Sequence, residues 1–387
     1  MYLSQNRHIT HFDLDSFFVG VEQLKNSKLK GKPLVIGAAG DRSIVIACSK
    51  EAEQFGIERA MPVRKARLLC SSAVFLKADM EEYSKYSRLV TDIINDTVPV
   101  FEKSAMDQFY IDLTGMDKFF GCFEFSTRLG RRVLRESGLT GYWALASNKL
   151  VSKIGAMDAK PDQRLQVPMG MERNFLSDKP LIRLPGIGAQ TAYTLRKMGV
   201  EKIRTLREVP LTMLQTLLGN EAIAIARKAN GIDEEPIIPY KDQKTIGETL
   251  SFPDDSIDIN FLQASITRLT EKLAFMMRKQ NKLAGCITVM LRYSTMETVT
   301  RQSVIPYTNA DHILIARAKE IFNKLFQRRI LVRMIGIKFT HLVQGSYQIS
   351  LFDDRQETIK LYQSIDHVKK RFGENYIGRA DGNYKLF

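Results

Sequence analysis

The sequence lacks the features of a secreted, zinc-stabilised or membrane-spanning protein. Its four cysteines, Cys48, Cys70, Cys122 and Cys286, are too widely separated to match a zinc-binding spacing. No apolar run is long enough to cross a membrane, and the amino-terminal residues leave no room for a secretory signal. We therefore expect a monomeric cytoplasmic protein without a membrane partner, in which the cysteines are small core residues.

Acidic residues are outnumbered as well. The chain has 57 Lys+Arg against 43 Asp+Glu, which gives a formal net charge of +14. A positive surplus favours a polyanionic partner, because each phosphate contact releases condensed counterions. No basic amphipathic helix with a Trp or Phe face is present to bind a membrane surface, so nucleic acid is the predicted partner.

Secondary-structure patterns divide the 387 residues into several units. Strands and helices alternate over residues 1–165, which predicts a mixed α/β domain. The pattern is helical over 166–239, polar in a linker at 240–245, and again mixed α/β over 246–343, with a tail at 344–387. In the first unit we predict strands at 34–37, 43–48, 98–103 and 142–146 and a helix at 149–158, and in the second mixed unit strands at 286–293 and 335–342. Two more strands of the first unit are predicted at 7–12 and 108–113.

Two acidic residues flank these predicted strands. Asp13 follows the first strand, and Asp107 precedes the second. Phosphoryl transfer with two divalent cations needs carboxylates held rigidly about one point, and strand ends suit this work. The alternative is that such acids only mark turns. Asp15 is interpreted as the N-cap of a helix that starts just after it.

Three ordered segments give these acids a context. Residues 13–22, 104–112 and 147–161 resemble the motifs of the Y-family DNA polymerases, the translesion group, and the likeness continues to about Val343. The resemblance implies a multidomain α/β (α+β) right-hand fold. Within it, 1–165 would be an RRM-like palm with small fingers at about 24–76, 166–239 a helical thumb, and 246–343 an α/β little finger. The implied activity is DNA-directed DNA synthesis in damage tolerance.

The resemblance also implies ligands and substrates. Asp13, the Leu14 carbonyl and Asp107 would bind two Mg²⁺ ions, for which Mn²⁺ could substitute. The substrates would be primer–template DNA and deoxynucleoside triphosphates.

Four further residues would contact the nucleotide. Phe17 and Phe18 lie in the first motif, with Phe18 at the steric-gate position that excludes a ribose 2′-hydroxyl, although its structural alternative is a core aromatic. Lys50 and Lys160 would bind the triphosphate as point charges.

The chain departs from the family pattern in the same pocket. Gln108 stands where the family has a catalytic Glu, and a neutral amide is the weaker Mg²⁺ ligand. Glu53 replaces an Arg that contacts the triphosphate. These departures predict impaired activity and leave a second hypothesis open, a catalytically weak, clamp-docked factor that recruits other proteins to damaged DNA. A nuclease is disfavoured, because no His or Lys general base lies in the acidic motifs.

Further residues are predicted to hold DNA. Gly186 and Gly188 resemble the turn of a helix-hairpin-helix, whose backbone N–H groups can approach a phosphate, although a plain interhelical turn is the alternative. Residues 246–343 contain 14 Lys+Arg against 8 Asp+Glu. On or beside the predicted strands of this unit, the basic residues proposed to track the phosphate backbone are Arg292, Arg329, Arg333 and Lys338. For any one of them, an ordinary solvated surface charge is the alternative.

The tail contains a short peptide that is predicted to dock on a partner protein. Gln348, Leu351 and Phe352 resemble the motif by which bacterial polymerases bind the sliding clamp, with a polar anchor and two apolar side chains for a groove. The alternative is that Leu351 and Phe352 pack against the helix predicted at 357–372.

We expect Leu351→Ala combined with Phe352→Ala to abolish clamp binding, because losing two anchor side chains costs about 2 kcal/mol or more each. Binding to short primer–template DNA should not change, since the peptide lies beyond the predicted DNA-holding units. A clamp pull-down and a DNA-binding titration measure the two effects. A lowered melting temperature, together with no clamp binding by the parent protein, would instead support packing on the helix.

Overall fold

The computed structural model describes residues 7–37, 43–116, 121–159, 163–241, 244–326, 330–345, 355–373 and 376–382. The chain separates into two compact units, Met1–Lys241 and Asp242–Phe387. Within the described ranges, every helix is too short or too polar to cross a membrane.

The first unit combines two sheets with eleven α-helices in its described residues. Short 3₁₀ helices occur at Ser27–Leu29 and Leu181–Arg183. The strands and helices are β1 (Ile9–Leu14), α1 (Phe17–Lys25), β2 (Leu34–Gly37), β3 (Val45–Cys48), α2 (Lys50–Glu53), α3 (Val63–Leu69), β4 (Val74–Lys77), α4 (Met80–Asn95), β5 (Phe101–Lys103), β6 (Gln108–Asp112), α5 (Cys122–Ser137), β7 (Gly141–Ala146), α6 (Lys149–Asp158), β8 (Arg164–Gln166), α7 (Glu172–Ser177), α8 (Ala189–Lys197), α9 (Ile203–Leu206), α10 (Leu211–Leu218) and α11 (Glu221–Ala229).

Strand β1 is the centre of a five-stranded sheet with the order β5-β6-β1-β7-β8. It pairs antiparallel with β6 on one side and with β7 on the other. Its residues Ile9 to Phe12 are all at most 1% exposed. A strand covered on both faces and paired along both edges has little freedom to move, so side chains at its end are held in place.

Helices cover both faces of this sheet. On one face Phe12, Phe109 and Trp143 join a core with side chains of α1, α4 and α5. Helix α5 comes so close that a Cβ at Gly130 would lie 2.6 Å from the Trp143 ring, so only glycine fits there. On the other face α6 contributes to a second core, which it shares with helices α7 to α11.

A smaller sheet with the order β3-β2-β4 carries α2 and α3. Its strand β2 is buried along its whole length, and β4 pairs with it in parallel.

The segment 231–240, after the last helix of the unit, returns along the edge of the five-stranded sheet. Tyr240 donates its backbone N–H to the carbonyl of Phe101 at 2.8 Å, and the two rings stack. Lys149, buried at the start of α6, donates to both oxygens of Glu102 at 2.9 Å. This pair lies beneath the segment, and removing one partner would leave a buried charge uncompensated.

The second unit is a four-stranded antiparallel sheet with the order β11-β10-β12-β9. Its helices α12 and α13 pack with one face of the sheet to form a single core. Its elements are β9 (Ile246–Ser256), α12 (Ile259–Lys279), β10 (Lys282–Tyr293), β11 (Thr298–Thr308), α13 (Asp311–Leu325), β12 (Val332–Gln344), α14 (Arg355–Phe372) and a 3₁₀ helix at Ala380–Gly382.

Helix α14 is attached to this unit by charged and aromatic contacts. Arg278 of α12 forms a bidentate pair with Asp366 at 2.8 and 2.9 Å and also binds Asp311 at 2.6 Å. Tyr362 is 4% exposed, and its hydroxyl lies 2.6 Å from Nδ1 of His312. The predicted helix at 357–372 is therefore confirmed, and it is docked rather than free.

The structure confirms the mixed α/β fold class and the burial of all four cysteines. It corrects the first strand, which continues through Asp13 to Leu14. Four strands, β4, β8, β9 and β11, were not among the sequence-based predictions. The hydrophobic alternation is interrupted in β9 and β11, which lie at the two edges of the second sheet and each contain a proline.

We expect His11 to make the protein sensitive to acid. Its ring is buried against Tyr110, and its Nδ1 has no hydrogen-bond partner among the described residues. Burial, with lesser effects of Lys153 and Lys149, lowers the pKa of His11 from 6.5 to about 3. Between these two pKa values, only the unfolded state binds a proton at His11. The free energy of unfolding therefore falls as the pH drops below 6.5, by about 1.4 kcal/mol per pH unit.

Urea unfolding at pH 7 and pH 5 measures this effect when the protein is compared with His11→Phe, which retains an aromatic ring against Tyr110. The variant should lose less stability than the parent over this range. Equal losses would show that His11 is not the responsible group.

Candidate active site

The pairing of three strands places Asp13 beside two polar side chains. In the antiparallel register, Asp13 lies opposite Gln108 of β6 and opposite Tyr142 of β7. Directly opposed residues point to the same face of a sheet with Cβ atoms about 5 Å apart. Asp13, Gln108 and Tyr142 therefore line one face, at the end of the central strand.

Asp107 precedes β6 and is tied to the same strand end. The backbone N–H of Leu14 donates to the carbonyl of Asp107 at 2.9 Å. Burial raises the pKa of the Asp107 carboxyl, although the positive charges of Arg59, Lys103 and Lys153 act in the opposite direction. The predicted pair of carboxylates is thus brought to one end of one sheet by two strands.

Asp15 does not cap helix α1, contrary to the prediction. The N-cap is Ser16, whose backbone is left-handed with φ 44°, and no side chain caps the helix. Instead, the Asp15 carboxylate accepts from the Tyr142 hydroxyl at 2.9 Å and from Lys50 Nζ at 3.3 Å. This contact raises the pKa of Lys50, chiefly through the charge of Asp15. Lys50 is therefore a cation at the pocket, held beside Asp15.

The two phenylalanines of the first motif differ in their surroundings. Phe17 is 1% exposed and packs in the core, and its contact with a nucleotide stays a prediction. Phe18 is half-buried, with its ring edge-on to Tyr83 at 5.0 Å. Tyr83 in turn donates its hydroxyl to Glu22 at 2.7 Å. Phe18 thus packs against a ring that is held by a hydrogen bond, beside the strand end.

The donor atoms at this site suit a hard divalent cation. Asp13 and Asp107 offer carboxylate oxygens, Leu14 a carbonyl and Gln108 an amide oxygen, which are the ligand types of Mg²⁺ and Mn²⁺. In the described part of the chain, no group of three or more His, Cys, Asp or Glu side chains is arranged to hold a metal. The set fits such a cation but carries fewer negative charges than a cluster of three acids would.

Three cations near Asp107 were not predicted from the sequence. Arg59 belongs to the segment between α2 and α3, Lys103 ends the edge strand β5, and Lys153 lies on α6. Burial lowers the pKa of Lys103 to about 8. Nothing in the local sequence distinguishes these residues from solvated surface charges, because their proximity to Asp107 arises from tertiary structure. Glu53, the other substituted position, is exposed.

The predicted helix-hairpin-helix turn lies between a 3₁₀ helix and α8. Gly186 has φ 104°, a conformation that favours glycine, and Gly188 is the N-cap of α8. A Cβ at Gly188 would meet nothing within 4 Å, so this helix end is open.

Two of the predicted basic residues share one face of the second sheet. Lys338 lies opposite Thr288, and Arg292 is on the same strand as Thr288, four residues on. Both are on the face away from the core, where Arg292 donates to Thr298 at 2.9 Å. Arg333 is the unpaired residue of a β-bulge between Val332 and Met334. The remaining predicted residues, Lys160, Arg329, Gln348, Leu351 and Phe352, lie outside the described residues.

Curated relatives match from three quarters to almost all of the chain. A DNA polymerase IV of Dehalococcoides mccartyi is 32% identical over 384 residues, which is 98% of both chains. A DNA polymerase IV of Halorhodospira halophila is 33% identical and covers 76% of this chain and 84% of its own. A DNA polymerase IV 2 of Methanosarcina mazei is 30% identical over 91% of this chain and 96% of its own.

Solved structures share the fold. A chimeric Y-family DNA polymerase built from Dbh and Dpo4 superimposes with a TM-score of 0.71 at 24% identity, covering 87% of this chain and 100% of its own. DinB from Sulfolobus solfataricus does so with a TM-score of 0.64 at 23% identity and the same coverage. Residues 12–157 match the impB/mucB/samB family and 243–351 its C-terminal domain. The chain therefore belongs to the impB/mucB/samB family, the Y-family DNA polymerases.

Proposed function

We propose that this protein is a DNA-directed DNA polymerase of the translesion type that extends a primer on a damaged template. The 3′-hydroxyl of the primer attacks the α-phosphate of a deoxynucleoside triphosphate, and pyrophosphate leaves. The observation that carries the proposal is the placement of Asp13 and Asp107 at one strand end in a chain that matches DNA polymerase IV over 98% of its length. The second hypothesis, a weak recruitment factor, gains no support from the relatives, and neither does impaired activity.

The metal site is proposed to hold Mg²⁺, with two ions in the working enzyme and Mn²⁺ as a substitute. Asp13, Asp107 and the Leu14 carbonyl would be its ligands. A bound cation would neutralise charge that develops on the transferred phosphoryl group. The protein's own contribution is a rigid strand end that places oxygen donors around one point, together with cations that favour the ionised form of the Asp107 carboxyl against the effect of its burial.

The nucleotide is proposed to lie between the strand end and the smaller sheet. Phe18 would contact the sugar, and Lys50 the triphosphate after exchanging its contact with Asp15 for a phosphate. Lys160 would add a second positive charge. The exposed Glu53 need not oppose binding, because Arg59, in the segment that follows α2, places a positive charge near Asp107.

DNA would be held by phosphate contacts outside this pocket. We propose the turn at Gly186 and Gly188 and the basic residues Arg292, Arg329, Arg333 and Lys338 as contacts to the backbone. Docking of residues 348–352 on the sliding clamp, a monomeric state and a cytoplasmic location stay predictions.

Primer extension with ribonucleotides tests the role of Phe18. Phe18→Ala should raise incorporation of ribonucleotides relative to deoxynucleotides by at least about tenfold, because the space of a 2′-hydroxyl is then open. Phe55→Ala removes an exposed ring, 49% accessible, and serves as the control. An unchanged ratio in Phe18→Ala would refute the steric-gate role, and no extension by the parent protein with either nucleotide would refute the proposed function.

Gln108→Glu should raise the primer-extension rate, by up to about 10²-fold, because it adds a carboxylate opposite Asp13. Without metal, two like charges in directly opposed positions should also lower the melting temperature, and Mn²⁺ should restore it. Gln215→Glu makes the same change at an exposed position of α10 and should have neither effect. If Gln108→Glu and the parent extend at equal rates, the amide does not limit catalysis.

A further inference from the structure

The turn that carries Asp107 is attached to two different elements. On one side, the Asp107 carbonyl accepts from the backbone N–H of Leu14 in β1 at 2.9 Å. On the other side, the carbonyl of Met106, the preceding residue, accepts from the hydroxyl of Ser87 in α4 at 2.5 Å. Asp107 therefore lies directly between an anchor on the sheet and an anchor on a helix.

The helix anchor is part of a buried hydrogen-bond network. Lys103 Nζ donates to the hydroxyls of Ser87 and Thr91, both at 2.7 Å. The Thr91 hydroxyl donates to the Ser87 carbonyl at 2.6 Å. Ser87 and Thr91 are 2% and 3% exposed. Because the two hydroxyls are buried, each lost partner would leave a buried polar group unsatisfied, and the geometry is correspondingly rigid.

The network connects both ends of the turn to one point on α4. Lys103 is the last residue of β5, and Met106 is three residues later. The turn itself is closed by the N–H groups of Ser104 and Ala105, which share the carbonyl of Gln108 at 3.0 and 3.4 Å, and by the Ser104 hydroxyl, which donates to the same carbonyl at 3.4 Å. Without the Ser87 hydroxyl, the sheet anchor at Leu14 would remain, so the fold would persist while the carboxylate lost its fixed direction.

We propose that Ser87, supported by Lys103 and Thr91, is a positioning residue that aims the Asp107 carboxylate at the divalent cation. The inference rests on the proposed metal site, and it assigns a role to α4, a helix that supplies none of the ligands. Outer residues that orient metal ligands typically contribute about 10- to 100-fold to metal affinity. Ser87 is the informative position, because Ser87→Ala removes the contact to Met106 without changing the charge of the site.

The test is Mn²⁺ binding to the full chain, measured by electron paramagnetic resonance, beside the metal dependence of primer extension. Ser87→Ala should weaken Mn²⁺ binding about tenfold and raise the metal concentration for half-maximal extension by a similar factor. Ser87→Thr retains the hydroxyl and should restore most of the affinity. The control is Ser84→Ala, one turn earlier on α4, where an exposed hydroxyl donates to the Met80 carbonyl and should not matter.

The variant Asp107→Asn shows which part of the Mn²⁺ signal comes from the proposed metal site. Ser87→Ala binding within twofold of the parent, or a loss equal to that of Ser84→Ala, would overturn the positioning role and leave the proposed polymerase intact. Equal binding by the parent and Asp107→Asn would overturn the metal site and this inference together. If Mn²⁺ binding responds to Ser87 as expected but the parent extends no primer, the positioning role stands and the proposed activity fails.

Discussion

The candidate site depends on the double pairing of strand β1. Because β1 hydrogen-bonds to β6 and β7 along both edges and is buried on both faces, its register cannot shift by one residue without exposing Phe12 and burying Asp13 in the core. The same register sets Gln108 and Tyr142 opposite Asp13. The position of every polar group at this strand end is thus a consequence of how the apolar residues of three strands pack.

Electrostatic balance is the second requirement. Asp107 is buried enough to raise its pKa, and cations from three separate elements, Arg59, Lys103 and Lys153, oppose that effect. A carboxylate binds a cation in its ionised form, so charges that favour ionisation of Asp107 assist the site even though they would repel the metal itself. An amide at Gln108 instead of an acid and the presence of Lys103 both make the site less negative. The orientation that α4 gives the Asp107 carboxylate therefore matters more for binding a cation.

Local sequence patterns predicted the elements better than their assembly. The bounds of β2 and α6 agree with the predicted strand at 34–37 and helix at 149–158, since each has a strong apolar pattern and, for α6, a capping Asn148. The strands β9 and β11 were missed because one face of their sheet is solvated and polar, and because Pro253 and Pro306 interrupt them. Edge strands of this kind lack the signal on which strand prediction depends.

In the candidate site, too, local motifs were predicted from the sequence and tertiary contacts were not. Asp13, Asp107 and Phe18 could be identified because their motifs are contiguous in sequence. The cap at Asp15 was wrong, because its carboxylate is engaged by Tyr142, which is 127 residues away. Arg59, Lys103 and Ser87 act through contacts that no local pattern encodes, and each belongs to an element other than the two strands that carry the acids. Motifs therefore predict which groups meet the substrate, whereas the charges and hydrogen bonds around those groups become visible only once the helices are packed against the sheet.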